Sequence, residues 1–168
     1  MSLAPTLTTK RLTLRPMREG DFPAYARLME SPRAAYMGGP FDTRAAWGMF
    51  CHDAACWALF GHGALMVDQA STGETVGQVG LNAGPLFPET ELGWFLYDGH
   101  EGEGYATEGA AALRDWAFRT LPVESLVSYM DAANVASQAV ARRLGATLDA
   151  DAPRPDPEDL VFRHRRAA

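Results

Sequence analysis

The sequence predicts an α/β fold in which helices pack on a mixed sheet. A strand, a glycine-rich loop and a helix follow one another between residues 91 and 121, and a buried strand at 126–130 completes a strand–helix–strand unit, for which a right-handed crossover is expected. Short strands at 64–67 and 76–81, joined by a turn-rich connection, form an antiparallel pair ahead of that unit. Together they predict a sheet with parallel and antiparallel neighbours.

The remaining elements follow from alternation and capping. Residues 10–15 alternate as a half-exposed strand, and Asp21 and Asp42 are the expected N-caps of two helices separated by a loop at 31–40. Glycines in the strand at 76–81 predict a bulge or a close backbone approach. Asn134 is the expected N-cap of a short helix that has an apolar stripe of Ala136, Val140 and Leu144 and ends at Gly145. A last strand is predicted at 160–164, and the basic tail formed by Arg163, Arg165 and Arg166 is expected to be a solvated end.

Length and composition limit the class of protein. With 168 residues, 47% of them hydrophobic, residues 1–168 are expected to form a single domain. The net charge of -6 argues against nucleic-acid and membrane partners and favours a cationic substrate. Neither a spanning apolar run nor a leader pattern is visible, so a cytoplasmic protein is expected.

Cysteine and histidine usage argues against a disulfide and a metal site. Cys51 and Cys56 lie on one predicted helix, about 140° apart around its axis at about 100° per residue, which disfavours a bridge. His52, Cys56 and His62 fall short of a zinc signature. No metal cofactor is expected.

The glycine-rich loop is the strongest functional signal. Gly102, Gly104 and Ala106 recur at every second position just before a helix, where unpaired N–H groups and the helix dipole favour an anion such as a pyrophosphate. A dinucleotide-binding loop has the same mechanics but needs a third glycine where Thr107 stands, so an oxidoreductase is the remote alternative.

The run Glu101-Gly-Glu-Gly-Tyr-Ala-Thr-Glu108 resembles the pyrophosphate loop of the GCN5-related N-acetyltransferases (GNAT), whose Gly-x-Gly/Ala ending is matched by Gly104 and Ala106. A Gly-x-Gly-Tyr-Ala-Thr-Glu run followed by Asn134-x-x-Ser137 and Leu-Gly is typical of the branch of ribosomal-protein N-terminal acetyltransferases, which the opening at 9–16 also resembles. The resemblance implies the GNAT fold: a mostly antiparallel sheet of six to seven strands, flanked by about four helices and splayed between its fourth and fifth strands.

The same resemblance implies transfer of an acetyl group from acetyl-CoA to a primary amine by direct attack in a ternary complex, since no cysteine is placed to carry an acyl group. The implied cofactor-binding residues are Trp94, Phe95, Leu96, Tyr97, Glu101, Gly102, Glu103, Gly104, Tyr105, Ala106, Thr107, Asn134 and Ser137.

The predicted general base is Glu91, which shares a strand face with Gly93 and Phe95 and matches a strand glutamate that often serves this role in the family. Glu89 and Asp131 are the alternatives. Ser137 is the predicted general acid, with water as the alternative, because Ala141 replaces the family's frequent tyrosine.

The acceptor groove is expected to include Tyr36, Phe41 and Trp47, from the helix pair that lines it in the family. The acidic loop 149–159 is either a solvated connection or a rim over that groove. The acceptor itself is open: a protein N-terminus, an amino acid, a polyamine or an antibiotic amine.

Two features depart from the family pattern and favour an alternative, a sensor that binds acyl-CoA without turnover. Glu101 and Glu103 place carboxylates in the phosphate loop and must point to solvent if phosphate binds. The missing tyrosine at Ala141 is the second feature. A homodimer is left open.

Overall fold

A computed structural model describes residues 4–166 and contains one eight-stranded sheet within them. The strands are β1 (Leu7–Thr8), β2 (Leu12–Arg15), β3 (Ala64–Gln69), β4 (Thr75–Asn82), β5 (Glu91–Leu96), β6 (Ser125–Met130), β7 (Thr147–Leu148) and β8 (Leu160–Arg165). The helices are α1 (Phe22–Met29), α2 (Thr43–Phe60), α3 (Tyr105–Thr120) and α4 (Val135–Arg143), with short 3-10 helices at Glu19–Asp21 and Pro32–Met37.

The sheet has the order β1-β2-β3-β4-β5-β6-β8-β7, and its neighbours are antiparallel except β5 and β6. The parallel pair has a single register contact, between Glu91 and Val127, so the two strands separate beyond it. This confirms the predicted fold class and the splay between the fourth and fifth long strands. The strand number exceeds six to seven because β1 and β7, of two residues each, were not predicted.

Strand β4 contains the predicted irregularity. Its pairing with β3 shifts register between Val67 and Asp68, opposite Gly77. A Cβ at Gly77 would collide with the backbone oxygen of Phe95 on the other side. Both a bulge and a close backbone approach are therefore confirmed, because only glycine lets β4 and β5 come together there.

The two faces of β5 belong to different layers. Leu92, Trp94 and Leu96 pack in the cluster that α3 covers, together with residues such as Leu113. Phe95 and Tyr97 pack on the other side with the α1 and α2 cluster. This alternation places β5 between two groups of helices, so its backbone can be reached from both.

Three local predictions need correction. Asp21 is the N-cap residue of α1, as predicted, but its side chain makes no cap hydrogen bond. It accepts from the Arg15 guanidinium at 2.7 and 2.9 Å instead, because this largely buried arginine needs a counter-charge. Arg163 is no solvated end: its side chain is 11% exposed and is paired with two carboxylates. On α4, Ala136 is exposed, because the buried stripe runs through Gln138 instead.

No helix among residues 4–166 combines the length and the apolar character that crossing a bilayer requires.

Candidate active site

Two clefts meet where β5 and β6 separate. The glycine-loop cleft, of about 1040 Å³, lies against residues 101–104 and the facing sides of α3 and α4. The acidic cleft, of about 560 Å³, lies among α1, α2, the sheet and residues 155–159. The residues that line both clefts are Tyr36, Met37, Trp94, Phe95, Asn134 and Ser137. A molecule in one cleft can therefore meet a molecule in the other at the middle of β5.

The glycine-loop cleft ends at the start of α3. Gly102 and Gly104 both have φ of +81°, a conformation that side chains with a Cβ disfavour, and Gly104 is the N-cap residue. The helix begins at Tyr105, as the end of the glycine run predicted to within one residue. Its first N–H groups have no helical acceptor. The hydroxyl of Thr107 is buried and has no hydrogen-bond partner among the described residues. These groups fit an anionic ligand.

Arginines far away in sequence counter the acidic character of the loop. Arg33, on the 3-10 helix Pro32–Met37, pairs with Glu101 and also donates to Asp98 at 3.0 Å and to the Leu96 carbonyl at 3.0 Å. Both Arg33 and Arg143 line the cleft. Glu101 is exposed, as predicted for a phosphate loop, and its charge is also countered by an ion pair with Arg33. Sequence reasoning missed both arginines because no local motif marks them.

Glu103 is exposed, as phosphate binding requires. Its carbonyl accepts from Arg11 at 2.9 Å, and Arg11 pairs with Glu108 at 2.7 Å. This contact fixes the loop against the start of β2.

Eleven of the thirteen predicted cofactor residues line the glycine-loop cleft, and Tyr97 and Tyr105 do not. Tyr105 is buried beneath Arg11, and its hydroxyl accepts from the Gln69 amide at 2.9 Å. Tyr97 packs on the opposite face of the sheet. The residues on the cleft wall are Trp94, Phe95, Leu96, Glu101, Gly102, Glu103, Gly104, Ala106, Thr107, Asn134 and Ser137.

The backbone of β5 offers hydrogen-bonding groups at the splay. The N–H of Tyr97 donates to the Val76 carbonyl on β4 at 2.9 Å. Because backbone groups alternate in direction along a strand, the N–H groups of Trp94 and Leu96 point to the other edge, towards β6. Pairing with β6 has ended there, so this edge can hydrogen-bond an extended ligand.

The acidic cleft carries charge of one sign. Within residues 4–166, no lysine, arginine or histidine lines it. The carboxylates that line it are Asp53, Glu91, Asp131, Asp156 and Asp159. A field of one sign in a concave site concentrates ligands of opposite charge, so the cleft favours a cation.

Glu91 lies where the acidic cleft meets the parallel pair. Its Oε2 accepts from the Asn82 amide at 2.8 Å. Burial raises the pKa of Glu91 to about 7, against the opposing effect of the Asn82 hydrogen bond. A carboxylate with a pKa near neutrality is suited to accept a proton from a substrate.

Asp53 is a second carboxylate in the cleft that sequence reasoning missed. It accepts from the Gln78 amide at 2.8 Å and from the Tyr25 hydroxyl at 3.2 Å. Burial raises the pKa of Asp53 to about 6, and both hydrogen bonds oppose the rise. A signal was present, since Asp53 lies at helical spacing between Phe50 and Trp57 on the apolar face of α2.

The other candidate acid–base residues lie in different settings. Glu89 is outside the acidic cleft and pairs with Arg163 at 2.8 Å, which lowers its pKa. Asp131 lines the cleft and accepts from the Ala133 N–H at 2.6 Å. Ser137 lies on the wall of both clefts, and its N–H donates to Asn134 at 3.1 Å, so Asn134 caps α4 as predicted.

The three predicted acceptor residues are not brought together. Tyr36 lines both clefts and is 52% exposed. Phe41 packs in the α1 and α2 cluster, and Trp47 is 44% exposed with the Phe22 ring centroid 4.8 Å away. Neither ring lines a cleft, because α2 contributes Met49 and Asp53 to the cleft wall instead.

Only part of the acidic loop reaches the site. Asp156 and Asp159 line the acidic cleft, whereas Asp149 is tied to Arg163 at 2.5 Å and Asp151 and Glu158 are exposed.

No set of three or more histidine, cysteine or acidic side chains in residues 4–166 is arranged to hold a metal ion. Cys51 and Cys56 are free thiols.

The chain is similar to known proteins in both sequence and structure. Residues 11–147 match the family described as acetyltransferase (GNAT) domain. A crystal structure of an acetyltransferase from Agrobacterium tumefaciens is 61% identical and superposes with a TM-score of 0.95, over 98% of this chain and 96% of that one. The Bacillus subtilis protein YkkB is 28% identical over 86% of this chain and 87% of its own.

A more distant similarity concerns the fold alone. RimL, a ribosomal L7/L12 alpha-N-protein acetyltransferase solved with coenzyme A, is 19% identical and has a TM-score of 0.77, over 96% of this chain and 98% of that one. The family match covers most of the chain and agrees with the sheet, its splay and the glycine loop. The chain therefore belongs to the GCN5-related N-acetyltransferase family.

Proposed function

We propose that residues 1–168 form one acetyltransferase domain that transfers an acetyl group from acetyl-CoA to a primary amine, by direct attack in a ternary complex. The observation that supports it best is the meeting of two unlike clefts at Trp94, Phe95, Asn134 and Ser137, with Glu91 on the acidic side. One cleft suits an anionic ligand and the other a cationic one.

Acetyl-CoA supplies the acetyl group in activated form, as a thioester. The N–H groups at the start of α3 and the glycine loop hold its diphosphate, with Arg33 and Arg143 as nearby positive charges. The outward backbone groups of Trp94 and Leu96 hydrogen-bond the amides of the pantetheine arm. An N–H of the same strand polarises the thioester carbonyl by donating where negative charge develops.

The acceptor amine is largely protonated at neutral pH and must lose a proton before it attacks. Glu91 takes that proton, directly or through a water, because its pKa of about 7 lies close to the working pH. As the C–N bond forms and the C–S bond breaks, Ser137 or a water gives a proton to the departing thiolate and takes the second proton, which the nitrogen loses on becoming an amide. Ala141 cannot serve, since its methyl side chain, buried against Met130 and Phe162, has no proton to donate.

The acceptor is proposed as a class, primary amines. RimL acts on a protein N-terminus by its name, and such an N-terminus is one member of the class, as are small amines. The charged residues among residues 4–166 that line the cleft are all acidic, which favours acceptors that carry positive charge.

Release of free thiol from acetyl-CoA, measured with a panel of primary amines, tests the proposal. Acceptor-dependent release with a matching acetylated product is expected. The sensor alternative predicts that acetyl-CoA binds in calorimetry while no amine in the panel increases thiol release.

A further inference from the structure

We propose that the preferred acceptor carries a second cationic group, which Asp53 and Gln78 hold at one end of the acidic cleft while the reacting amine faces Glu91 at the other. The inference rests on the proposed function and specifies its substrate class: α,ω-diamines and longer polyamines, rather than amines with a single charge.

The two ends of the cleft are fixed by strand pairing. Gln78 and Asn82 are four residues apart on the same face of β4, which separates their Cα atoms by about 13 Å at about 3.3 Å per residue. Asn82 pairs in register with Glu91, to which its side chain is bonded, and the Gln78 side chain is bonded to Asp53. Each end therefore has one carboxylate held by one amide.

The floor between the two ends is bare. Gly80 on β4 pairs in register with Gly93 on β5, and both line the cleft midway between the carboxylates. With no side chain from either strand at this point, an extended chain can lie across the sheet from Glu91 to Asp53. A flexible hydrocarbon linker between two amines has this shape.

The Gln78 side chain independently indicates a ligand at the Asp53 end of the cleft. It is 6% exposed and lines the cleft, and its amide nitrogen is committed to Asp53. Its Oε1 is buried without a hydrogen-bond partner among the described residues. A buried acceptor without a hydrogen bond is destabilising, because the desolvation of the oxygen is not compensated. An ammonium group can donate to Gln78 Oε1 and to the Asp53 carboxylate together, which satisfies both.

The remaining charges of the cleft agree with this assignment. Asp131, Asp156 and Asp159 add three carboxylates to the wall, and no cationic side chain within residues 4–166 competes for them there. A monocation would leave most of these charges without a counter-charge. A dication or polycation matches them better.

The test uses the wild-type protein and pairs of acceptors that differ in one group. Butylamine, pentylamine and hexylamine are compared with the α,ω-diamines of the same lengths, by kcat/KM for thiol release. We expect each diamine that spans the two carboxylates to be preferred at least tenfold over its monoamine. Equal use of diamine and monoamine at all three lengths would overturn the proposal.

Variants then locate the second group. Asp53→Asn removes the charge with little change in shape, and it should lower kcat/KM for the diamine much more than for the monoamine. Asp151→Asn is the matched control, an exposed aspartate outside the cleft, and should change neither. A diamine preference that survives in a folded Asp53→Asn protein would assign the second group elsewhere.

Equilibrium binding separates this inference from the proposed function. Calorimetry of diamine and monoamine with the protein saturated with coenzyme A needs no turnover. Tight diamine binding without acetylation would retain the two-ended cleft and reject the acetyltransferase reaction. Acetylation with no difference in binding or kcat/KM between the two amines would retain the acetyltransferase reaction and reject the two-ended cleft.

Discussion

The two clefts are built in different ways. The glycine-loop cleft takes its anion-binding groups from one continuous stretch, residues 101–107, and mostly from the backbone. The acidic cleft takes its carboxylates from α2, β5, the residues after β6 and the loop before β8, and all of them are side chains. A site made of backbone groups can be predicted from the local spacing of glycines. A site made of side chains forms only after the fold has brought distant segments together.

This difference implies that the clefts can be impaired separately. Changes in the acidic cleft should affect the acceptor and its chemistry, and changes in the loop should affect the cofactor. Substitutions in each cleft can test that separation.

The largest effect is expected from Glu91→Gln, which removes the base while retaining an oxygen for the Asn82 hydrogen bond. Turnover should fall by about 10²- to 10⁴-fold, the usual contribution of a general base, with acetyl-CoA affinity unchanged. Thiol release and calorimetry measure the two quantities. In wild type kcat/KM should rise with pH through about 7, as Glu91 ionises, and this limb should be lost in the variant.

Glu124→Gln, an exposed glutamate outside both clefts, is the control and should behave as wild type. Wild-type turnover in Glu91→Gln would move the base to Asp131 or to bulk water, since Glu89 is held by Arg163. A joint loss of affinity and turnover would show that the clefts are not separable.

The same substitution should stabilise the fold at high pH. The pKa of Glu91 is higher in the folded protein than the ordinary value of 4.5, so the folded state binds this proton more tightly than the unfolded chain does. The free energy of unfolding of the wild type therefore decreases as the pH rises from about 4.5 through 7. Glu91→Gln does not titrate, and should gain about 1–3 kcal/mol over wild type at pH 8.

Urea unfolding at several pH values measures this gain, which should vanish below about pH 4.5. A gain that is equal at all pH values would come from packing and not from the charge. Glu124→Gln again serves as the reference.

Gly104→Val tests the backbone cleft. A side chain at this position blocks the approach of a phosphate group and strains a residue with φ of +81°. Acetyl-CoA affinity should fall more than tenfold in calorimetry. Gly73→Val is the matched control, because Gly73 has φ of +75° in the β3–β4 turn and lies in neither cleft.

Gly73→Val should lose stability and keep its affinity for acetyl-CoA. If a folded Gly104→Val protein binds acetyl-CoA as tightly as wild type does, the loop is not the diphosphate site.

The smallest effect is expected at the rim. Neutralising Asp156 and Asp159 together as asparagines should raise KM for a cationic amine several-fold at low salt, with kcat little changed. The difference should fade by about 0.5 M salt, since exposed charges act only within a Debye length. The control is Asp151→Asn with Glu158→Gln, from the same loop but outside the cleft. A salt-independent loss of kcat would place one of the two aspartates at the reacting amine.

Much of the framework could be predicted from the sequence, because alternation, capping and glycine spacing are local. The long strands, the bulge near Gly77 and the start of α3 depend on such signals, whereas the splay was expected from the family resemblance and the order of strands was not predicted. Arg33, Asp53 and Gln78 could not be assigned, because their partners lie on other elements. Trp47 was expected in the acceptor groove from its place in the helix pair, but it packs on Phe22 of α1 and lines neither cleft.

Gly80 and Gly93, at the centre of the acidic cleft, leave room on its floor between the two carboxylates. A Cβ on Gly93 would meet the Asn82 amide nitrogen at 3.7 Å and Glu91 Oε2 at 4.0 Å, which are ordinary contacts, whereas one on Gly80 would come to 3.1 Å from the Ala64 Cβ. The fold can thus accept alanine at Gly93 more easily than at Gly80. One methyl group at Gly93 would obstruct the floor between the two carboxylates without altering any charge, so the fit of an extended molecule can evolve, or be engineered, independently of how it reacts.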